Sequence, residues 1–151
     1  MNCCDSPLNK IKLICPHCSQ EGNSVETLTL QSLLHEELLK NINNISSYKY
    51  CKTSTCDISY FSKDYYFLVS ELKVKATDKD QGLDVPVCYC FNYSRESILK
   101  DIKTNGESNA LKEIKYMMKD PGCFCERSNP QGNCCLGNVT AFIKQIMTNQ
   151  F

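Results

Sequence analysis

Twelve cysteines but only two histidines stand in this chain of 151 residues. The cysteines come in close pairs: Cys3 with Cys4, Cys15 with Cys18, Cys51 with Cys56, Cys88 with Cys90, Cys123 with Cys125, and Cys134 with Cys135. Thiols spaced this closely converge on a shared ion or cluster more readily than on each other. The amino terminus, MNCCDSPLNK, has no apolar run behind a basic region, so no secretory leader is expected. Without one, an even cysteine count reads as metal ligation in a reducing, cytoplasmic setting and not as a disulfide framework. Isolated cysteines are often plain core residues, but six pairs are not explained that way.

The first set is Cys15-Pro16-His17-Cys18 followed by Cys51-x4-Cys56. A CxxC in a tight turn aims both sulfurs at one ion, and the second pair completes the shell. Four thiolates at about 2.3 Å make a closed tetrahedral zinc site with no open position and no redox chemistry. The expected role is structural. The amino half is short of apolar residues and is expected to need its ion to fold. His17 is assigned to the knuckle surface, because four cysteines already complete the shell, and His35 to a helix surface. The alternative for CPHC, a thioredoxin-like dithiol, would require a preceding strand and a parallel sheet behind it.

The second set opens with Val87-Cys88-Tyr89-Cys90. Its two thiols are too close for an unstrained disulfide and lack the spacer of a CxxC. With Cys123, Cys125, Cys134 and Cys135 they make six thiols for what should be four ligands. Cys90 stands before one expected helix and Cys134-Cys135 at the start of another. Helix N-termini carry free N–H groups and partial positive charge. A [2Fe–2S] cluster on four thiolates is anionic and becomes more so on reduction, and N–H groups aimed at its sulfurs stabilise that charge. Pro86 favours extended entry into the CxC. VCYC therefore reads as one jaw of a cluster site.

The elements that must position these thiols fall into two groups. Thr27 to Lys40 starts β-like and becomes an amphipathic helix with Leu30, Leu33, Leu34 and Leu38 on one side. NINNISS reads as a turn, and YKYC, DISYF, YYFLV and LKVKA read as strands. TDKDQGLD is polar and reads as a linker. Three helices follow. RESILKDIKT is capped by Ser94 and ends at Asn105-Gly106; NALKEIKYMMKD ends at Pro121-Gly122; Leu136 to Met147 turns Val139, Phe142, Ile143 and Ile146 to one face. The expected fold class is α+β: a flexible segment at 1–14, a small zinc-binding β-rich unit at 15–76, a linker at 77–84 and a helical [2Fe–2S]-binding unit at 85–151.

Seventeen acidic residues balance seventeen basic ones, so bulk charge suggests no nucleic-acid partner. No apolar stretch approaches the length of a membrane span. No Ser/His/Asp or paired-carboxylate constellation indicates a hydrolytic or transferase site; Glu36 and Glu37 read as a solvated helix face.

VCYC, a helical pair and then CERSNPQGNCCLGNV resemble the amino-terminal domain of CopZ-type copper chaperones, which carry one zinc and one [2Fe–2S] cluster. ICPHC, YKYCKTSTCDISYF and the KVK segment fit the zinc half of that family, and the resemblance covers roughly Cys15 to Val139. The carboxyl half is also similar to bacterioferritin-associated ferredoxin, a small helical [2Fe–2S] domain whose first ligand pair is likewise CxC. The resemblance implies cluster ligands at Cys88, Cys90, Cys125 and Cys135, with Cys123 and Cys134 as alternates, and zinc ligands at Cys15, Cys18, Cys51 and Cys56. Cys123 departs from the family pattern. The family's separate Cu(I)-binding CxxC domain has no counterpart in these residues, which leaves Cys3 and Cys4 as candidate copper ligands. The implied function is a metallochaperone-like redox partner in copper handling, Cu(II) to Cu(I). It would work with an electron donor protein and a copper-transporting ATPase or separate copper chaperone. The alternative is a ferredoxin-type electron-transfer or iron/redox-sensing module without copper.

Overall fold

The computed structural model describes residues 13–40, 42, 47–120 and 122–149. Cys3, Cys4 and most of the NINNISS turn lie outside them. The amino half is built on an antiparallel sheet of four short strands, β1 (Asn23–Ser24), β2 (Lys49–Tyr50), β3 (Ile58–Phe61) and β4 (Tyr66–Leu68), in that spatial order. Every residue of β3 is buried. A register shift between Ile58 and Tyr60 lets Ile58 and Phe61 pack together with Cys15 and Cys51, where strict alternation would part them. Tyr60 instead joins Leu30, Leu33, Leu34, Tyr48, Tyr50 and Phe67 in a separate core. Ser59 Oγ fills the irregularity by donating to Phe67 O and Leu68 O at 3.2 and 3.1 Å.

The stretch Thr27 to Lys40 has no β-like start, being helical from Thr27, and its helix is interrupted. It forms α1 (Thr27–Leu33) and α2 (Glu36–Leu39), parted by extended backbone at Leu34 and His35. Leu34 is fully buried and bridges Leu72, and Lys73 N donates to Leu33 O at 2.8 Å. Burying Leu34 across this bridge outweighs continuing the helix. LKVKA is likewise not a strand. Only Leu72 makes a bridge, after a 3₁₀ turn at Val69–Glu71. Its alternation of apolar residues with exposed Lys73 and Lys75 arises from a segment lying over the core, not from a ladder.

In the carboxyl half β5 (Pro86–Cys88) pairs with β6 (Tyr93–Ser94). Then come α3 (Arg95–Asn105), α4 (Ala110–Lys119), α5 (Cys125–Ser128) and α6 (Leu136–Asn149). Ser94 Oγ accepts from Ser97 N at 3.1 Å, the expected N-cap, and Gly106 closes α3 at φ 80°. Val87, Ile98, Ile102, Ala110, Ile114 and Val139 form the core with three cysteines, and Phe142, Ile143 and Ile146 pack at its margin. The expected α+β class holds: a four-stranded sheet, then a helical region. Between them runs Thr77 to Asp84. The buried Arg95 guanidinium donates to Thr77 O, to Asp80 O at 2.6 Å and to Gly82 O at 3.1 Å. Tyr50 OH donates to Asp78 Oδ1 at 2.6 Å.

Candidate metal centres

The sulfurs of Cys15, Cys18, Cys51 and Cys56 all lie within 4.8 Å of one another. Cys15 faces Cys56 at 3.8 Å and Cys18 faces Cys51 at 3.6 Å. A tetrahedron of sulfurs at the usual zinc distance has edges of about 3.8 Å, so the quartet fits that ion. Local backbone explains the convergence. Ser19, at φ 62°, turns the CPHC hairpin; its N–H donates to Cys15 O, and Cys15 N donates to Gln20 O, both at 2.9 Å. Each sulfur also accepts N–H groups a little further along the chain. His17 and Cys18 serve Cys15, Gln20 serves Cys18, Thr53 serves Cys51 and Ile58 serves Cys56.

Burial acts to raise all four thiols. For Cys18 it is outweighed by the Thr53 hydroxyl, 3.2 Å away, with the Gln20 N–H and neighbouring thiols, and its pKa falls to about 6. Cys15, Cys51 and Cys56 remain raised. Lys79 is drawn to this centre. Its Nζ donates to Thr53 O at 2.7 Å and Cys56 O at 3.2 Å, and its charge favours the Cys51 thiolate. His17 is exposed and stands edge-on to Tyr66 with ring centroids 5.0 Å apart, as expected of a knuckle surface; His35 is exposed at the start of α2. The sheet behind CPHC is antiparallel, so the thioredoxin-like alternative fails.

The second set is sorted by burial. Cys88, Cys125 and Cys135 are buried and Cys90 half-buried, whereas Cys123 and Cys134 are exposed. Cys88 ends β5 and Cys90 lies in the turn before β6. Cys125 opens α5, and Cys135 accepts from Val139 N at 3.0 Å at the head of α6. Three of the sulfurs form a string, Cys90 to Cys125 at 3.3 Å and Cys125 to Cys135 at 3.6 Å, and the Cys88 thiol interacts with that of Cys135. Among the described residues only the zinc quartet packs three or more such ligand atoms all within 4.8 Å. The second quartet is thus elongated.

Every sulfur in it meets an N–H group. Phe124 N donates to Cys90 Sγ at 3.2 Å and Tyr89 N to Cys135 Sγ at 3.4 Å. The Cys135 amide serves Cys125, and those of Phe91 and Cys90 serve Cys88. The amides cross between the two jaws, so each jaw helps orient the sulfurs of the other. The Cys135 thiol donates to Cys88, lowering Cys88 to about 7 and raising itself; burial pushes Cys125 up to about 12. Without metal the quartet holds protons that loading must expel. Ser128 Oγ lies 3.2 Å from Cys90 Sγ, and Asn129 Nδ2 donates to Cys135 Sγ at 3.7 Å. Sequence reasoning missed Thr53, Lys79 and Ser128, which follow no ligand spacing. Asn129 entered only as part of the stretch CERSNPQGNCCLGNV.

The CopZ family model, described as a zinc binding domain, matches residues 12–73. Copper chaperone CopZ of Archaeoglobus fulgidus is 32% identical over 121 residues, which is 80% of this chain; the chain spans 57% of that protein's length. The X-ray structure of the Archaeoglobus fulgidus CopZ N-terminal domain superposes with a TM-score of 0.70 at 28% identity, covering 85% of this chain and 96% of that one. The zinc quartet, the sheet around it and these likenesses agree: the chain is a homologue of the CopZ N-terminal, zinc-binding domain.

Proposed function

We propose that Cys88, Cys90, Cys125 and Cys135 hold a [2Fe–2S] cluster and that the protein is a metallochaperone-like redox partner in copper handling. The observation that carries the cluster reading is the elongated quartet of thiols, each served by an N–H group. A single tetrahedral ion calls for a compact set, whereas two bridged irons call for a longer one. When bound, the cluster supplies a one-electron couple. The chain's own amides, at Tyr89, Cys90, Phe91, Phe124 and Cys135, stabilise the negative charge that reduction adds. The zinc quartet is closed and supports the fold.

Copper enters as substrate. Cu(II) gains one electron and becomes Cu(I), the state that soft thiolates prefer. An electron donor protein supplies the electron, and a copper-transporting ATPase or separate copper chaperone receives the ion, in the cytoplasm. Kinship with a copper chaperone supports this half of the reading. Cys3 and Cys4 are the proposed thiols for a transient copper contact. The test is to reduce the anaerobic protein, remove excess dithionite and add Cu(II) with a Cu(I)-specific chromogenic chelator. About one Cu(I) per reduced chain, formed as the oxidised visible spectrum returns, supports the reading. No Cu(I) above the level of oxidised protein rejects it and leaves a ferredoxin-type module without copper.

A further inference from the structure

The loop carrying Cys125 and Cys135 is gripped by the zinc half of the molecule. Thr29 Oγ1, in α1, donates to Glu126 O at 2.7 Å. Tyr60 OH, in β3, donates to Pro130 O at 2.5 Å. Thr29 and Tyr60 are both fully buried. Gly132, at φ +75°, comes so close that a Cβ there would lie 3.2 Å from Thr29 Oγ1 and 3.3 Å from Val25 Cγ1. Thr29, Tyr60 and Val25 all fall within the zinc domain, residues 12–73. Neither hydroxyl serves the zinc. Tyr60 packs in the leucine-rich core, apart from the group formed by Ile58, Phe61, Cys15 and Cys51. A buried hydroxyl costs stability unless paired, and these two are paired with carbonyls of the cysteine loop.

Inside the loop Asn129 carries the grip to a sulfur. Its Nδ2 donates to Asn133 O at 2.8 Å and to Cys135 Sγ at 3.7 Å, while its Oδ1 accepts from Gln131 N at 3.1 Å. Gly132 N donates to Asn129 O at 2.8 Å. The loop is therefore a braced turn with its outer fixings on the neighbouring unit.

We propose that Thr29 and Tyr60 are positioning residues for the second centre: the zinc unit fixes the placement of Cys125 and Cys135, so zinc loading precedes and sustains loading of the second quartet. What the quartet holds rests on the cluster reading above; how its loop is held does not.

The test uses the full chain, zinc-loaded and anaerobic, as wild type, Tyr60→Phe, Thr29→Val and the double variant. One readout needs no cluster: the alkylation rates of Cys125 and Cys135, with the second quartet unloaded, followed by mass spectrometry. Loss of these two hydrogen bonds is expected to raise those rates about tenfold in the double variant, with zinc content unchanged. In the loaded protein, cluster release to an iron chelator is expected to accelerate by about the same factor. Stripping zinc from wild type is expected to expose the same two thiols. Wild-type alkylation rates in the zinc-retaining double variant would overturn the proposal, as would continued protection after zinc removal. Should the double variant lose zinc, Gly132→Ala, a change in the loop itself, supplies the same comparison. Absence of sulfide from every preparation would reject the cluster reading while the alkylation result still decides this one.

Discussion

Tyr89 accounts for the residue between the two cysteines of VCYC. Its amide serves Cys135, and its hydroxyl donates to Lys75 O and accepts from Thr77 N at 3.0 Å. One residue thus ties the first jaw to the second and to the connecting segment. Tyr89→Phe keeps the amide and removes both hydroxyl contacts; the expected loss is about 1–3 kcal/mol of stability, read from urea midpoints. A value near zero would mean that water replaces the hydroxyl without cost. Asp78 makes a pH-dependent prediction. Burial raises its pKa, against the opposing pull of the Tyr50 hydroxyl, Lys79 and Gln131. A carboxyl raised on folding contributes stability below its ordinary pKa and loses it as pH climbs through the folded value. Asp78→Asn, which keeps an acceptor for Tyr50, is therefore expected to melt above wild type at pH 7. The difference should close toward pH 4, and a gap independent of pH would contradict the assignment. At this scale the cysteines were legible because each close pair is a local signal. Thr53, Lys79 and Ser128 were not, because their roles depend on folding brought about by other residues.

Short signals at helix ends survive folding better than the interiors of amphipathic stretches. Ser94 and Gly106 bound α3 as their chemistry dictates. Ser94→Ala is expected to cost about 1 kcal/mol through loss of the cap. Gly106→Ala is expected to cost about 1 kcal/mol through backbone strain alone, since a Cβ at Gly106 meets nothing within 4 Å. Thermal melts of the metal-loaded protein check both, and a neutral Gly106→Ala would mean that the turn relaxes. Leu30 to Leu38 reads as one helical stripe, yet the chain breaks at Leu34 to pair with Leu72. That choice depends on a partner 38 positions away, beyond the reach of periodicity. β1, β6 and α5 have two, two and four residues, too few to show a period.

In the whole molecule the two halves are joined by polar contacts. TDKDQGLD reads as a polar connection, and its polarity is used: its carbonyls receive Arg95, Asp78 receives Tyr50, and Lys79 reaches the zinc loop. Among the described residues no helix is long and apolar enough to cross a membrane. Zinc is expected to be part of the folding free energy of the amino half. Cys51→Ser, or removal of zinc by a strong chelator, should abolish the cooperative unfolding transition of residues 13–73, followed by hydrogen exchange. Retained protection after zinc loss would show that the apolar core suffices. The α+β division and the close cysteine pairs were readable because cysteine spacing and helical periodicity lie within short windows, whereas spacing alone left six thiols for the four places of the second quartet, and the choice among them came from the family resemblance. The grip of Thr29 and Tyr60 on the loop after Cys125 was not, since nothing local marks either hydroxyl.

The central claim is that one chain carries a compact zinc quartet and an elongated cluster quartet. Metal and acid-labile sulfide analysis of protein purified without oxygen, read beside its visible spectrum, tests it most directly. The account predicts about two iron, two sulfide and one zinc per chain, with reddish absorbance that bleaches on dithionite. About two zinc per chain with no sulfide would contradict it and make VCYC part of a second zinc clamp.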